Sequence, residues 1–174
     1  MKIILETERL SLREMTEADF AALAAILCDE DTMYAYEGAF TEAEARGWLD
    51  RQLARYQTDG FGLWAVILKE TGAMIGQMGV TWQPVEDERV PEIGYLFNRA
   101  YWHRGYAAEA AKACKRYVFD VLGFPEIFSI VRDTNLPSMN VAIRNGMTIR
   151  RRFVKHYRGV DMPHFLFGVK KPGP

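Results

Sequence analysis

Apolar and polar positions change their period several times along the chain, and each change marks an element. Leu10 and Leu12 alternate with Arg9, Ser11 and Arg13, so residues 3–5 and 9–13 read as a strand. Thr16-Glu17-Ala18-Asp19 is a helix start, with a hydroxyl able to cap and two acids in the first turn. Phe20, Leu23, Ile26 and Leu27 continue it at helical spacing. Thr41-Glu42-Ala43-Glu44 is a capping box that leads into Trp48, Leu49, Leu53 and Tyr56. From Leu63 the period shortens. Residues 63–68 and 74–82 are apolar runs separated by Glu70-Thr71-Gly72, the pattern of an antiparallel hairpin. Residues 83–91 hold two prolines and the charged run Glu86-Asp87-Glu88-Arg89, which predicts an exposed loop. Residues 92–97 form a further strand, in which Gly94 marks a bulge or a close approach.

The strongest helical stripe lies between Gly105 and Leu122. It runs through Ala107, Ala110, Ala111, Cys114, Tyr117, Val118 and Val121 and stops at Gly123. Residues 127–131 predict a central strand. Residues 135–145 predict a short helix, with Asn135 as its cap and Gly146 just past its end. Residues 147–157 and 165–169 pair as a hairpin around Arg158-Gly159. The order β, α, α, β, β, β, α, β, α, β, β is that of a mixed α/β fold. The strand–helix–strand unit over 92–131 predicts one parallel strand pair joined by a right-handed crossover.

The 174 residues suit one domain spanning 1–174, and 49% hydrophobic with 26% charged residues is an ordinary globular balance. The net charge of −1 excludes a wholesale basic footprint, so nucleic acid is not the expected partner. Charge is unevenly spread: residues 1–60 carry a net −7 and residues 144–171 a net +7, and mutual neutralisation is the simplest expectation. Cys28 and Cys114 are too few and too far apart for a disulfide framework or a zinc site. Both read as small core residues in a reducing cytoplasm. No apolar run is long enough to cross a membrane.

Tyr101-Trp102-His103-Arg104-Gly105-Tyr106-Ala107-Ala108-Glu109-Ala110 joins a strand to the long helix. The first N–H groups of a helix have no internal acceptor, and the helix dipole favours negative charge there. Small residues let a ligand approach the backbone closely, and Arg104 adds a cation. The segment reads as a pyrophosphate site, although it is neither a Walker loop nor a Gly-x-Gly-x-x-Gly turn.

The stretch EIGYLF…YWHRGYAAEA, followed by DTNLPSMNVAIRNGM, resembles the GNAT superfamily of acetyl-CoA-dependent N-acetyltransferases. The opening ETERLSLREMTEADF resembles its ribosomal-protein-alanine acetyltransferase branch, and the likeness extends from about residue 5 to about residue 169. The resemblance implies a GNAT-like fold: a twisted, mostly antiparallel sheet with one splayed parallel pair and helices on both faces. It implies that the backbone of His103, Arg104, Gly105, Tyr106, Ala107 and Ala108 holds the pyrophosphate of acetyl-CoA. Tyr95, Leu96 and Phe97 match the strand that pairs with pantetheine and polarises the acetyl carbonyl. Asn135 matches a pantetheine ligand, Ser138 a position facing the sulfur, and Glu92 an acid that takes the amine proton. Two positions depart from the pattern. Trp102 stands where the general motif has Gln or Arg, and Ala142 stands where many relatives place a catalytic tyrosine.

The expected reaction is direct acetyl transfer to a primary amine in a ternary complex, with neither cysteine in the matched site and no metal. An α-amine, on a peptide N-terminus or a small molecule, is the expected acceptor. Other readings are a polyamine, amino-acid or antibiotic acetyltransferase and a non-catalytic acyl-CoA sensor. His156 stands as a second candidate base. For the aromatic-rich residues 33–40 core packing is the default reading, with the lining of an acceptor pocket as the alternative, and Arg150, Arg151 and Arg152 read as a solvated strand edge, with an RNA contact as the sharper alternative. A C2 homodimer is the default assembly.

Overall fold

Alternation along Leu63–Leu68 (β3) sends its side chains into two separate cores, because successive residues of a strand face opposite sides. Trp64, Val66 and Leu68 join one cluster; Leu63 and Ala65 join the other. A strand buried on both faces requires cover on both, and helices supply it. Phe20–Leu27 (α1) and Glu42–Thr58 (α2) bring Leu23, Leu27, Ala45 and Leu49 to one face. Tyr106–Asp120 (α3) brings Ala110, Ala111, Cys114 and Val118 to the other, where Tyr117 meets Trp64 edge-on.

The computed structural model describes residues 2–173. The remaining elements are the strands Ile3–Glu6 (β1), Leu10–Arg13 (β2), Met74–Val85 (β4), Glu88–Phe97 (β5), Glu126–Arg132 (β6), Thr148–Tyr157 (β7) and Val160–Lys170 (β8), with Leu136–Arg144 (α4) between β6 and β7. Among the described residues these strands form one eight-stranded sheet in the order β1-β2-β3-β4-β5-β6-β8-β7. All neighbours are antiparallel except β5 and β6, which run parallel across the α3 crossover. The mixed α/β fold, the parallel pair and the two helical layers are those expected. Gly79 is required where β4 passes the start of β3: a Cβ there would lie 2.0 Å from the Gly62 carbonyl oxygen.

Four expectations are corrected. Residues 3–13 form two antiparallel strands rather than one, because the Thr7 N–H donates to the Leu10 carbonyl and the Leu10 N–H donates back to the Thr7 hydroxyl. Residues 83–91 are not a loop: β4 and β5 stay in unbroken register from Gly76–Phe97 to Val85–Glu88. Val85 and Val90 give this hairpin a buried side, packed on Phe153 and Leu166, partners distant in sequence. Cys28 is exposed, since it caps α1 one position past the buried Leu27, while Cys114 is buried. The acidic and basic segments do not neutralise each other wholesale. Arg158 reaches Glu44, but Arg150, Arg151 and Arg152 pair with Glu126, Glu86, Glu88 and Asp133 along an edge strand.

The helix start read at Thr41 is built as expected, whereas at Thr16 a 3₁₀ turn over Glu17–Asp19 precedes α1 and the Thr16 hydroxyl donates to Asp19 instead of capping the helix. In α2, Thr41 Oγ1 accepts from the Glu44 N–H at 3.2 Å and Glu44 Oε2 accepts from the Thr41 N–H at 2.7 Å. Ahead of α1, Asp19 accepts the Thr16 N–H at 2.8 Å and both ends of the Arg13 guanidinium at 2.7 and 2.8 Å. Burial opposes the charged form of Asp19, but the bonds from Arg13 and Thr16 outweigh it and hold its carboxyl below the usual value of 3.8. That stabilisation is full above the unfolded pKa and is lost as pH falls through the folded one. Asp19→Asn is expected to cost about 2–4 kcal/mol at pH 7, as for one partner of a desolvated pair, with the difference shrinking below pH 4. Urea unfolding of both proteins at pH 7 and pH 3.5 checks it.

Candidate active site

β5 and β6 are paired at a single register, Glu92 opposite Phe128, and then part. The Ser129 hydroxyl donates to the Ile93 carbonyl at 3.0 Å, close to where the strands separate. Because backbone groups alternate sides along a strand, the N–H and C=O of Tyr95 point the same way as those of Ile93, into the gap. A free backbone donor in the middle of a sheet therefore arises from divergence of β6. The bulge expected at Gly94 is absent, since β4 follows β5 in unbroken register.

The gap opens into a cleft of about 320 Å³. Residues 92–96 form one wall and residues 129–132 the other, with Asn135 and Ser138 of α4 at one end. Residues from the segment before α2, from α2 itself and from the last hairpin surround the other end, among them Tyr36, Arg55, Lys155 and Tyr157. Residues 33–40 thus contribute to the cleft through Ala35 and Tyr36.

Side-chain alternation along β5 divides the chemistry between the two faces of the sheet. Leu96 packs with the α1–α2 core, and Glu92 lies two strand pairs back on that same face. Tyr95 packs with the α3–α4 side. Glu92 Oε2 accepts the Ile130 N–H at 3.2 Å. Burial pushes its carboxyl up to about 7, although Lys155, the Ile130 N–H and Arg55 all favour the anion. On the other face the Tyr95 hydroxyl lies 2.7 Å from Ser138 Oγ and donates to the Ser138 carbonyl at 3.0 Å. Burial raises the Tyr95 phenol above its ordinary range, so it stays protonated at neutral pH. Asn135 Oδ1 caps α4 by accepting the Ser138 N–H at 3.2 Å and also accepts the Tyr34 hydroxyl at 2.8 Å, which leaves the Asn135 amide NH₂ for another partner.

The α3 turn lies outside the cleft wall. Gly105 caps α3 with φ of 79°, a left-handed conformation that glycine adopts without strain, and His103 also has positive φ, 61°. The first backbone bond of the helix runs from the Glu109 N–H to the Gly105 carbonyl at 3.1 Å, so the preceding N–H groups have no acceptor within the helix. Arg9 clamps this turn from β2. Its guanidinium donates to the Arg104 carbonyl at 3.0 Å and to Glu109 at 2.7 Å, and the Thr7 hydroxyl donates to Glu109 at 2.6 Å.

Of the residues singled out in the sequence, Glu92, Tyr95, Leu96, Asn135 and Ser138 converge on the cleft. Phe97 does not: it is buried, and its carbonyl accepts the Trp102 indole N–H at 2.8 Å. His156 is exposed beside Asp161 and does not line the cleft, so it is not placed to act as the base. His164 does line it, but burial lowers its pKa and its Nδ1 lies 2.8 Å from the Met162 carbonyl oxygen. The Tyr95 hydroxyl, Tyr34 and the Arg9–Glu109 clamp were not signalled by sequence, because each acts through a partner roughly forty to a hundred positions away. Among the described residues no helix is long and apolar enough to cross a membrane.

A parallel pair splayed in mid-sheet leaves an unpaired backbone edge along the cleft, beside a helix start whose open N–H groups suit an anion. The acetyltransferase (GNAT) domain family matches residues 9–148, and the chain belongs to that family of acetyl-CoA-dependent N-acetyltransferases. The uncharacterized protein YkkB of Bacillus subtilis (strain 168) is 37% identical over 155 residues, 86% of this chain and 90% of the relative. An acetyltransferase from Agrobacterium tumefaciens shares the fold with a TM-score of 0.80 at 31% identity, covering 96% of this chain and 94% of its own. A ribosomal L7/L12 α-N-protein acetyltransferase solved with coenzyme A has the same fold, with a TM-score of 0.80, 16% identity and coverage of 97% and 98%.

The residues present fit acetyl-CoA: an anion-ready turn at 103–108, an unpaired backbone edge at Tyr95 and a spare amide at Asn135. Gly105→Asp places a branched anion at a left-handed position in that turn. It is expected to weaken coenzyme A binding at least tenfold while the protein remains folded, as read by calorimetry and circular dichroism.

Proposed function

We propose that the cleft transfers acetyl from acetyl-CoA to an α-amine, on a peptide N-terminus or a small molecule, by direct attack in a ternary complex. The chain acts in this as one domain, a reading supported by a single sheet running from Ile3 to Lys170. The observation that carries the proposal is the separation of Glu92 from Ser138 and Tyr95 across the β5–β6 gap. Amine and thioester then meet from opposite faces of the sheet, with the acetyl carbonyl between them.

Each group has a task that fits its environment. An amine attacks only as the neutral base, so its proton must leave. A carboxyl poised at about 7 takes that proton near neutrality, directly or through water. The Tyr95 N–H donates to the oxyanion as charge develops on the carbonyl oxygen. The departing thiolate accepts a hydrogen bond from the Ser138 hydroxyl, which Tyr95 holds in place across the 2.7 Å contact, and takes its proton from solvent. Tyr95 thereby offsets the missing tyrosine at Ala142. The candidate coenzyme contacts are the backbone at 103–108, Tyr95, Leu96 and Asn135.

Acceptor choice follows from the strength of the base. At pH 7 about a tenth of α-amines are neutral, against roughly one lysine side chain in two thousand. A single carboxylate of pKa near 7 suits the former. Competition between a peptide with a free N-terminus and a matched peptide with a blocked N-terminus and free lysine is expected to favour the first. Glu92→Gln is expected to lower kcat/KM about 100-fold at pH 7, with the deficit shrinking as rising pH deprotonates the acceptor. Faster lysine acetylation overturns the acceptor, and an unchanged profile removes Glu92 as base.

Ser138→Ala and Tyr95→Phe are each expected to lower kcat by about 10- to 100-fold, with little change in acetyl-CoA affinity. The double variant is expected to lose little more than either single one, since the two hydroxyls form one chain. Full additivity in steady-state kinetics would separate them.

A further inference from the structure

The end of the cleft on the α2 side is strongly and unusually cationic. Arg51 and Arg55 sit four positions apart on α2, hence on one face, and both line the cleft together with Lys155 of β7. Like charges at this helical spacing repel, and Arg51 lies among the causes that lower the Arg55 pKa, after burial. Most arginines of this chain are matched to acids. Arg132, on the same cleft, pairs with Glu37 at 2.6 Å. Among the described residues, by contrast, Arg51, Arg55 and Lys155 make no ion pair. Arg51 rests over the Trp48 ring, 5.6 Å from its centroid, and Arg55 donates only to the neutral Gln52 at 3.2 Å.

A second observation points the same way. Gln77 is fully buried in β4 and lines the cleft. The Trp48 indole N–H donates to its Oε1 at 2.9 Å, which fixes the orientation of the amide. Its NH₂ group then has no partner. A buried donor without an acceptor is destabilising, and repulsion between the guanidiniums adds to that. Asp59 and Glu92 favour the charge on Arg55, and Glu92 faces Lys155, but none is within ion-pair distance, so three cations without an ion pair and one unmatched donor on the same cleft are relieved by a single kind of occupant, an anion with hydrogen-bond acceptor oxygens. Among the described residues Glu92 is the only acid on the cleft wall.

We propose that the acceptor carries a carboxylate beside its amine, and that Arg51, Arg55 and Lys155 receive it while the amine faces Glu92. This deepens the acetyl-transfer reading of the same cleft and rests on it. The carboxylate belongs either to a free amino acid or to an acidic side chain near a peptide N-terminus.

Two pairs of probes separate these sources, each pair differing in one charge. Asp-Ala-amide against Asn-Ala-amide tests the peptide, and alanine against alaninamide tests the amino acid. Binding is read by calorimetry on the coenzyme A complex at pH 7, and turnover is read separately by coenzyme A release from acetyl-CoA. In at least one pair the acid is expected to bind tenfold or more tightly than its amide, and the favoured pair names the source. Arg55→Gln is expected to reduce that preference to threefold or less, as is Arg51→Gln at an exposed helix position that the fold tolerates. Equal binding of acid and amide in both pairs overturns the proposal, as does a preference that survives both substitutions. Turnover without charge preference leaves the transfer reading standing and removes the subsite. A charge preference in binding with no amine acetylated removes the transfer reading and keeps the subsite.

Discussion

The parting of β5 from β6 after Glu92 is the constraint on which the site depends. A sheet normally consumes every backbone donor and acceptor of its inner strands. Here an inner strand pair holds at one register and then releases its edges, so the Tyr95 N–H meets a cavity in place of a neighbouring strand. The separation is possible because each half of the sheet is complete without it. β1 to β5 form one antiparallel run, and β6, β8 and β7 form another. The α3 crossover and the shared core under Trp64, Ile93 and Ile127 hold the two halves together.

The same divergence sorts the chemistry by face. Alternation along β5 sends Glu92 toward α2 and Tyr95 toward α4, so a buried carboxyl and a hydroxyl pair lie on opposite sides of one strand without competing for the same space. Their environments then differ. Burial raises the carboxyl to about 7, where it exchanges protons at neutrality, and keeps the phenol protonated as a donor.

Much of this was legible in the order of residues because it is local. The capping box at Thr41, the glycine at position 105 and the stripe through Ala110, Cys114 and Val118 each concern neighbours within a turn or two. The parallel pair followed from the length of one crossover. What was not legible depends on partners far apart in the chain. The prolines at 84 and 91 read as a loop because the residues that bury Val85 and Val90 come some 60 to 80 positions later, at Phe153 and Leu166. Glu92 and Ser138 were candidates through their resemblance to a family, whereas the Tyr95 hydroxyl that joins Ser138 emerged only with the packing of α4. His156 failed for a related reason: residues of β7 alternate, and Lys155 and Tyr157 take the cleft side while His156 faces solvent.

The two cysteines differ in a way that gives the molecule a built-in chemical address. Cys114 is enclosed in α3, and burial pushes its thiol up to about 12, beyond the reach of ordinary alkylating reagents. Cys28 is exposed at the end of α1, shortly before the segment that carries Ala35 and Tyr36 to the cleft. A maleimide dye added to the folded wild-type chain therefore attaches at one place, with no engineered residue, beside the segment that brings Tyr36 to the cleft. Its emission becomes an optical gauge of that segment, read in real time and independently of any chemistry in the cleft.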